Sequence, residues 1–309
     1  MADNFLQGVL LKAHGGFYFV QAEGRVWTCS LRGRLKQSLR DEPLGLLVGD
    51  KVLLEPLAEP EAVIAEVMPR HNFLVRPRIA NLEQCLIVLA AEHPKPDYLL
   101  LDRLLVCLLA AGIRPIICFN KLDKPGAEQI FAEQFKVYQQ AGFTVLAVSA
   151  LQQRGVAELQ QLLQGKITAV AGQSGVGKST LLNQVQQGQQ LQTGGISRKL
   201  QRGRHTTRLV ELLPLLPQAA GENGLAEGWI ADTPGFSRLA MPEQVGPDNL
   251  AQFWPDLQAL AQDCRFDGCR HDQEPDCRVK AAVAEGLLDV RRYQRYLVLL
   301  AALSEQTRY

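Results

Sequence analysis

The sequence predicts a multidomain protein with three consecutive parts: a β-barrel over residues 1–75, an α/β domain over 76–245 and a helical domain over 246–309. In the first part, short strand-like runs are separated by Gly, Pro and charged turns, as in small barrels. In the second, continuous apolar strands alternate with helices, which indicates a parallel sheet covered on both faces. The third contains helical segments around a cluster of Cys and His.

Composition excludes several classes of protein. A chain of 309 residues exceeds the usual size of one core, and 47% hydrophobic residues with 21% charged residues is ordinary for a globular protein. The net charge of +1 excludes a globally basic nucleic-acid binder, so any basic surface is local. The sequence starts without a signal-peptide pattern and has no apolar run of about 18 residues. We therefore expect a cytoplasmic monomer without membrane contact.

The barrel is predicted from four strand-like runs, at residues 17–20, 25–29, 51–54 and 63–67. We expect Arg32, Arg34 and Lys36 to lie in a barrel loop, where unopposed cations suit phosphate backbones. Tyr18 and Trp27 are either exposed aromatics that could stack on bases or part of the barrel core, and the core is the preferred interpretation.

The central domain is predicted from a regular alternation of strands and helices. Strands are expected at residues 84–90, 115–119, 143–148, 167–171 and 228–231, and helices over 97–111, 126–140 and 155–164, with a further helical stretch from Thr180.

A phosphate-binding loop follows the strand at 167–171 and precedes a helix, which is the context that this motif requires. Its pattern is Gly172-x4-Gly177-Lys178-Ser179. Backbone amides and the helix N-terminus would bind the α- and β-phosphates, Lys178 would reach the β- and γ-phosphates, and the Ser179 hydroxyl would ligate Mg²⁺. The residues predicted to bind nucleotide here are Gly172, Gln173, Ser174, Gly175, Val176, Gly177, Lys178, Ser179 and Thr180.

A second phosphate element, Asp232-x-x-Gly235, follows the strand at 228–231. We expect Asp232 to hold Mg²⁺, through water, and the amide of Gly235 to meet a γ-phosphate. Two phosphate elements at this separation in the sequence indicate a nucleoside triphosphatase.

The segment Asn120-Lys121-x-Asp123 ends another strand and identifies the base as guanine. The carboxylate of Asp123 can accept two hydrogen bonds from guanine N1 and N2, whereas adenine would leave it desolvated and unpaired. Asn120 would tie this loop to the phosphate loop, and the stem of Lys121 would lie along the base. At Ser149 and Ala150 a backbone amide would contact guanine O6.

The order of these motifs indicates a circularly permuted GTPase. The guanine-specifying segment precedes the phosphate loop, the reverse of the usual order. The strand that bears Ser149 leads through a helix directly into the strand before Gly172, so the usual termini are joined and every motif stays at the carboxyl edge of one sheet.

Hydrolysis requires a group that orients water, and the usual glutamine after Asp-x-x-Gly is replaced here by Phe236. The candidate is His205, in a basic, acid-free segment over 186–208, although a loop histidine can also be merely solvated. A neighbouring threonine, Thr206 or Thr207, would complete the Mg²⁺ shell.

The four candidate zinc ligands, Cys264, Cys269, His271 and Cys277, fall within fourteen residues. Three thiolates and one imidazole suit a closed tetrahedral site for one structural Zn²⁺, and a small segment gains folding energy from such a metal. The alternative is three ordinary buried cysteines. The surrounding helices are expected at residues 248–260, 278–286 and 289–303.

Taken together, these motifs resemble the RsgA (YjeQ) family of ribosome small-subunit-dependent GTPases, nearly end to end. Matching stretches include Arg32-Gly-Arg, Val48-Gly-Asp, Pro69-Arg-His-Asn, Leu101-Asp-Arg, Gly203-Arg-His-Thr-Thr and Cys264-Arg-Phe. The resemblance implies an N-terminal OB-fold that contacts ribosomal RNA, and slow GTP hydrolysis to GDP accelerated by the small subunit late in its maturation. It also implies that His205 is the catalytic histidine; Arg208 replaces a usual third threonine, and we favour Thr207 as the Mg²⁺ ligand.

Two other functions fit the same residues. Because Phe236 cannot orient water, the chain could be an RNA-binding scaffold that binds GTP and barely hydrolyses it. Alternatively, the cysteine cluster could be the cargo site of a metallochaperone GTPase.

Overall fold

The computed structural model describes residues 5–42, 44–75, 77–187, 210–215, 228–232 and 240–306. Residues 188–208 of the predicted basic segment lie outside these ranges, with His205, Thr206, Thr207 and Arg208, and so do Gly235 and Phe236.

The N-terminal part is a closed five-stranded barrel, as predicted. Its strands are β1 (Leu6–His14), β2 (Phe17–Ala22), β3 (Arg25–Leu31), β4 (Lys51–Pro56) and β5 (Glu61–Val67), in the order β1-β2-β3-β5-β4. Helix α1 (Gly33–Asp41) connects β3 to β4, which gives the OB arrangement. Leu10, Val20 and Ile64 fill the interior together with Trp27, which is 5% exposed and so belongs to the core.

The prediction that Arg32, Arg34 and Lys36 lie in a loop was wrong for Arg34 and Lys36. Arg32 precedes α1 and the other two lie on it, because half-buried Leu35 and Leu39 are one helical turn apart and give the segment an apolar stripe. Nor are all three cations unopposed, since Arg32 pairs with Glu55 at 3.6 Å.

The central part contains a six-stranded sheet in the order β10-β9-β8-β11-β13-β12, and a short hairpin of β6 (Phe73–Leu74) and β7 (Ile79–Ala80) leads into it. Its strands are β8 (Gln84–Ala90), β9 (Arg114–Asn120), β10 (Thr144–Ala147), β11 (Ile167–Ala171), β12 (Glu211–Leu215) and β13 (Gly228–Asp232). All pair in parallel except β12, which is antiparallel to β13. The sequence did not predict β12, because Pro214 interrupts its pattern; an edge strand tolerates such a residue.

Helices cover both faces of the sheet, as predicted. The helices α2 (Tyr98–Ala110) and α3 (Ala127–Gln140) bury their apolar residues in one core cluster, and α4 (Val156–Leu163) and α5 (Lys178–Gln187) bury theirs in another. The carboxyl ends of the parallel strands therefore remain free to form a site.

The C-terminal part contains a 3₁₀ turn (Leu250–Phe253) and helices α6 (Pro255–Ala261), α7 (Arg278–Ala284) and α8 (Val290–Gln306). The single helix predicted over 248–260 was wrong, because Pro255 starts a new helix and cannot continue the preceding turn. No helix among the described residues is long and apolar enough to span a bilayer.

A buried ion-pair network joins α8 to the central domain. Arg292 is 1% exposed, and its guanidinium lies 2.5 Å from Asp102 of α2 and 2.7 Å from Asp256 of α6. Arg295 binds the second oxygen of Asp102 at 2.5 Å. Burial alone would lower the pKa of Arg292, but the two carboxylates outweigh it and raise that pKa, so the arginine stays charged.

Candidate nucleotide and metal sites

The sheet brings the predicted nucleotide motifs to one edge. Asn120 ends β9, the phosphate loop (residues 172–179) follows β11, and Asp232 ends β13, while Ser149 lies just beyond β10. Parallel strands place these carboxyl ends side by side, which is where ligands bind in open α/β sheets.

The phosphate loop follows a path that only glycine can take at two of its positions. Gly172 has φ +133°, and a Cβ there would lie 2.1 Å from the carbonyl oxygen of Val88. At Gly177, with φ +92°, a Cβ would lie 2.5 Å from Nδ2 of Asn120. The helix α5 begins directly afterwards, so its N-terminal amides face the loop.

Lys178 is held over the loop by two carbonyl groups. Its Nζ donates to the oxygens of Gly172 and Gln173, both at 2.7 Å. Partial burial lowers the pKa of this ammonium group. Ser179 and Thr180 are exposed in the first turn of α5.

Asn120 connects three loops from a nearly inaccessible position, with 2% of its surface exposed. Its Nδ2 donates to the carbonyl oxygen of Val176 at 3.0 Å, and its Oδ1 accepts from the amide of Ala150 at 3.1 Å. Lys121 makes a parallel link, since its Nζ donates to the oxygens of Gly175 and His93 at 2.6 and 2.8 Å. The guanine and phosphate loops are thereby fixed to each other.

Asp123 is oriented by a residue to which the sequence assigned a different task. The hydroxyl of Ser149 donates to Oδ1 of Asp123 at 2.6 Å. The amides of Ser149 and Ala150, which were predicted to offer a contact to guanine O6, already donate to Arg154 and Asn120.

Two of the predicted Mg²⁺ ligands lie on neighbouring elements. Ser179 is in the first turn of α5, which follows β11 and the phosphate loop. Asp232 ends β13, the strand paired with β11. A hydroxyl and a carboxylate are oxygen donors, which Mg²⁺ prefers, so this donor set fits the ion. Across the sheet, Asp232 is the register partner of Glu211 on β12.

The predicted zinc ligands form one cluster. The ligand atoms of Cys264, Cys269, His271 and Cys277 all lie within 4.8 Å of one another. Sγ of Cys264 lies 3.9 Å from Sγ of Cys277, and both lie 3.5 Å from Nδ1 of His271. A tetrahedral ion with Zn–S of about 2.3 Å and Zn–N of about 2.0 Å requires separations of roughly 3.8 and 3.5 Å. The arrangement therefore fits Zn²⁺.

Neighbouring aromatic residues hold the loop that carries these ligands. The hydroxyls of Tyr293 and Tyr296, both on α8, donate to the carbonyl oxygens of His271 and Arg270 at 2.7 and 2.9 Å. Burial, together with the nearby thiols, raises the pKa of Cys269 to about 12, and burial lowers the pKa of His271. A bound cation would favour the thiolate of Cys269, and the lowered pKa of His271 favours the neutral imidazole that can ligate a metal.

Comparisons with known proteins cover nearly the whole chain. The RsgA N-terminal domain model matches residues 7–64 and the RsgA GTPase model matches residues 67–242. Two relatives carry the name "Small ribosomal subunit biogenesis GTPase RsgA". That of Moorella thermoacetica is 44% identical over 98% of this chain and 99% of its own, and that of Geobacillus kaustophilus is 40% identical over 97% and 98%.

Two solved structures are similar over the same extent. YloQ, described as a circularly permuted GTPase, is 31% identical, with a TM-score of 0.78 over 99% of this chain and 97% of its own. YjeQ from Thermotoga maritima is 28% identical, with a TM-score of 0.78 over 97% and 98%. These likenesses confirm the predicted permuted GTPase fold.

Proposed function

This chain belongs to the RsgA GTPase family, and on that premise we propose that it hydrolyses GTP to GDP and phosphate during the biogenesis of the small ribosomal subunit. The observation that carries the proposal is the meeting of the guanine loop and the phosphate loop at one sheet edge, joined by both atoms of the Asn120 carboxamide. Family relatives named for this process cover the same length of chain.

Phosphoryl transfer needs position and charge stabilisation more than covalent chemistry. In the proposed mechanism, the amides of the phosphate loop and of the start of α5 bind the α- and β-phosphates. Lys178 exchanges its two carbonyl partners for oxygens of the β- and γ-phosphates. Its ammonium group would stabilise the negative charge that develops on these oxygens as the bond to the γ-phosphate breaks. Mg²⁺, held by Ser179 and Asp232, would supply further charge neutralisation at the β- and γ-phosphates.

Guanine selection rests on Asp123. Its carboxylate would accept from guanine N1 and N2, while the Ser149 hydroxyl fixes its rotamer through Oδ1. The Ala150 amide would share its hydrogen bond between Asn120 and guanine O6. Adenine would offer the Asp123 carboxylate no such donor pair.

The remaining catalytic roles fall on residues outside the described ranges. We propose that His205 orients the attacking water, that Thr207 completes the Mg²⁺ shell and that the Gly235 amide meets the γ-phosphate. Turnover of His205→Ala at saturating GTP tests the first role, and an unchanged rate with intact binding would exclude it.

The zinc cluster and the barrel are proposed to serve assembly. One structural Zn²⁺ would hold the loop over 264–277. The proposed domains are residues 1–75 for RNA binding, 76–245 for hydrolysis and 246–309 for zinc binding. Exposed Arg34 and Lys36 on α1 supply cations for ribosomal RNA of the small subunit. The protein would act in the cytoplasm as a monomer.

One experiment separates this function from its rivals: phosphate release from GTP, measured with and without purified small subunits. Strong stimulation by the subunits is the expected result. Nucleotide-dependent binding without stimulation would instead support a GTP-binding RNA scaffold, and stimulation by added zinc alone would support a metallochaperone.

A further inference from the structure

An ion pair joins the barrel to the edge of the central sheet. Lys12 lies on β1 and Glu211 is the first residue of β12, and Nζ and Oε1 are 3.2 Å apart. Both side chains are about one-third exposed, at 35% and 32%. This is the ion pair, among those of the described residues, that connects the two domains directly.

The position of Glu211 relates this pair to the magnesium side of the site. In the antiparallel ladder between β12 and β13, Glu211 is the register partner of Asp232. A shift of one residue in such a ladder also moves its register partner, because hydrogen bonds or close packing hold the two backbones about 5 Å apart. The carboxylate bound by Lys12 therefore belongs to the residue directly across from the proposed Mg²⁺ ligand.

A bulge in β1 presents two adjacent side chains of the barrel to the sheet region. The register of β1 against β2 shifts between Leu10 and Lys12, and bulges of this kind redirect side chains. Leu11 is 8% exposed and shares a buried core cluster with Leu212, the neighbour of Glu211. The strands β1 and β12 thus contact each other beside the ion pair and contribute to the same apolar cluster.

Lys12 also faces the outer surface of the barrel. Its Nζ lies 4.9 Å from the ring centroid of Phe19, which is its register partner on β2. The same ammonium group therefore contacts the barrel surface and the sheet edge.

We propose that Lys12 and Glu211 are positioning residues for GTP hydrolysis, which act by fixing the end of β12 opposite Asp232. The inference rests on the proposed function, because it takes Asp232 as the Mg²⁺ ligand. It adds that the barrel contributes to the magnesium side of the GTPase site through this pair.

The test uses charge reversal in the full-length protein. Lys12→Glu and Glu211→Lys each place like charges together, the double variant restores an attractive pair in reverse, and Lys12→Arg keeps the original charge. Lys136→Glu on α3 makes the same charge change elsewhere and serves as the control. The kcat, the KM for GTP and the Mg²⁺ dependence of hydrolysis would be measured with and without small subunits.

We expect each single reversal to lower kcat about fivefold and to raise the Mg²⁺ concentration required, because a partly exposed pair contributes at most about a factor of this size. GTP affinity should change less than twofold, and the double variant and Lys12→Arg should recover most of the activity. The inference is overturned if the single reversals match Lys136→Glu, or if the double variant is as impaired as either single one. A wild-type protein that subunits do not stimulate would instead contradict the proposed function, which makes the two failures distinguishable.

Discussion

At the scale of single residues, the site depends on close backbone approach as much as on charged groups. The absence of a side chain at Gly177 leaves room for the carboxamide of Asn120, whose Nδ2 would lie 2.5 Å from any Cβ added there. That carboxamide in turn connects Val176 and Ala150. A glycine in the phosphate loop thus determines the position of the guanine loop.

The variant Gly177→Ala should lose guanine nucleotide binding. The added methyl group must displace Asn120, which breaks two buried hydrogen bonds, and it also forces alanine into a left-handed backbone at φ +92°. We expect GDP affinity to fall at least tenfold in a fluorescence titration. Gly112→Ala is the matched control, because it has φ +68° but nothing within 4 Å. It should bind GDP normally, and equal loss in both variants would contradict the argument.

A second residue-scale prediction concerns Ser149. Its hydroxyl is the donor that fixes Oδ1 of Asp123, and hydrogen bonds to charged groups are worth about 1.5–3 kcal/mol. We expect Ser149→Ala to weaken GTP binding about tenfold and to reduce the preference for GTP over ATP, measured by competition. Ser149→Thr retains a hydroxyl and should lose less; if both variants bind GTP as tightly as the wild type, Ser149 does not orient Asp123.

At the scale of elements, most strands and helices could be predicted because their patterns are local. The buried strand β11 is apolar at four of its five residues, and all five are buried. The helix α2 is capped by Asp97, whose side chain accepts from the amide of Leu100. The sequence did not predict α1, which is short and mostly polar, or the edge strand β12, which contains a proline. Their conformations depend on contacts with the barrel and with β13, and such contacts leave little trace in local sequence.

Some candidate functional residues could likewise be predicted from local sequence patterns, and others could not. Motifs predicted the candidate zinc ligands and the phosphate loop, because the chemistry of both requires fixed spacings. The Lys12–Glu211 pair spans 199 residues of sequence, and Asp102–Arg292 spans 190, so no local pattern could reveal them. The signal for Asp102 was a lone carboxylate among the leucines of the stretch Leu-Leu-Leu-Asp-Arg-Leu-Leu, in which Arg103 is the one other charged residue.

The α2–α8 contact should therefore be sensitive to the loss of Asp102. In Asp102→Asn, two arginines lose a buried carboxylate, and removal of one member of a buried pair costs about 3–5 kcal/mol. We expect the free energy of unfolding to fall by about 3 kcal/mol in urea denaturation, with the loss concentrated in the transition that reports on the C-terminal domain. Glu128→Gln breaks the exposed pair with Arg154 and should cost under about 1 kcal/mol. Similar losses of unfolding free energy in the two variants would show that the buried Asp102 pairs stabilise the protein no more than an exposed pair does.

At the scale of the whole molecule, the permuted order places a different domain at each side of the nucleotide-binding sheet. The barrel precedes the half with the proposed guanine loop and contacts β12, whereas the C-terminal helices follow β13 and pack against α2. Both outer domains therefore contact elements that carry or flank the site. A partner bound to either outer domain would therefore contact a domain that packs against the GTPase domain.

Removal of the proposed metal should destabilise the C-terminal part without changing hydrolysis in the absence of small subunits. Without the proposed cation, the four candidate ligand groups, of which His271 and Cys277 are buried, have no common partner, and the loop over 264–277 retains little apolar core of its own. We expect Cys277→Ala to hold less than one tenth of an equivalent of zinc by mass spectrometry and to melt several degrees lower. GTP affinity and subunit-independent hydrolysis should stay within twofold of the wild type, while stimulation by small subunits should be lost.

The control is Cys29→Ala, which removes a buried thiol from the barrel and should keep its zinc and its stimulation. Full stimulation of a zinc-free protein would show that the metal does not serve partner recognition, and release of zinc during GTP turnover by the wild type would identify it as cargo.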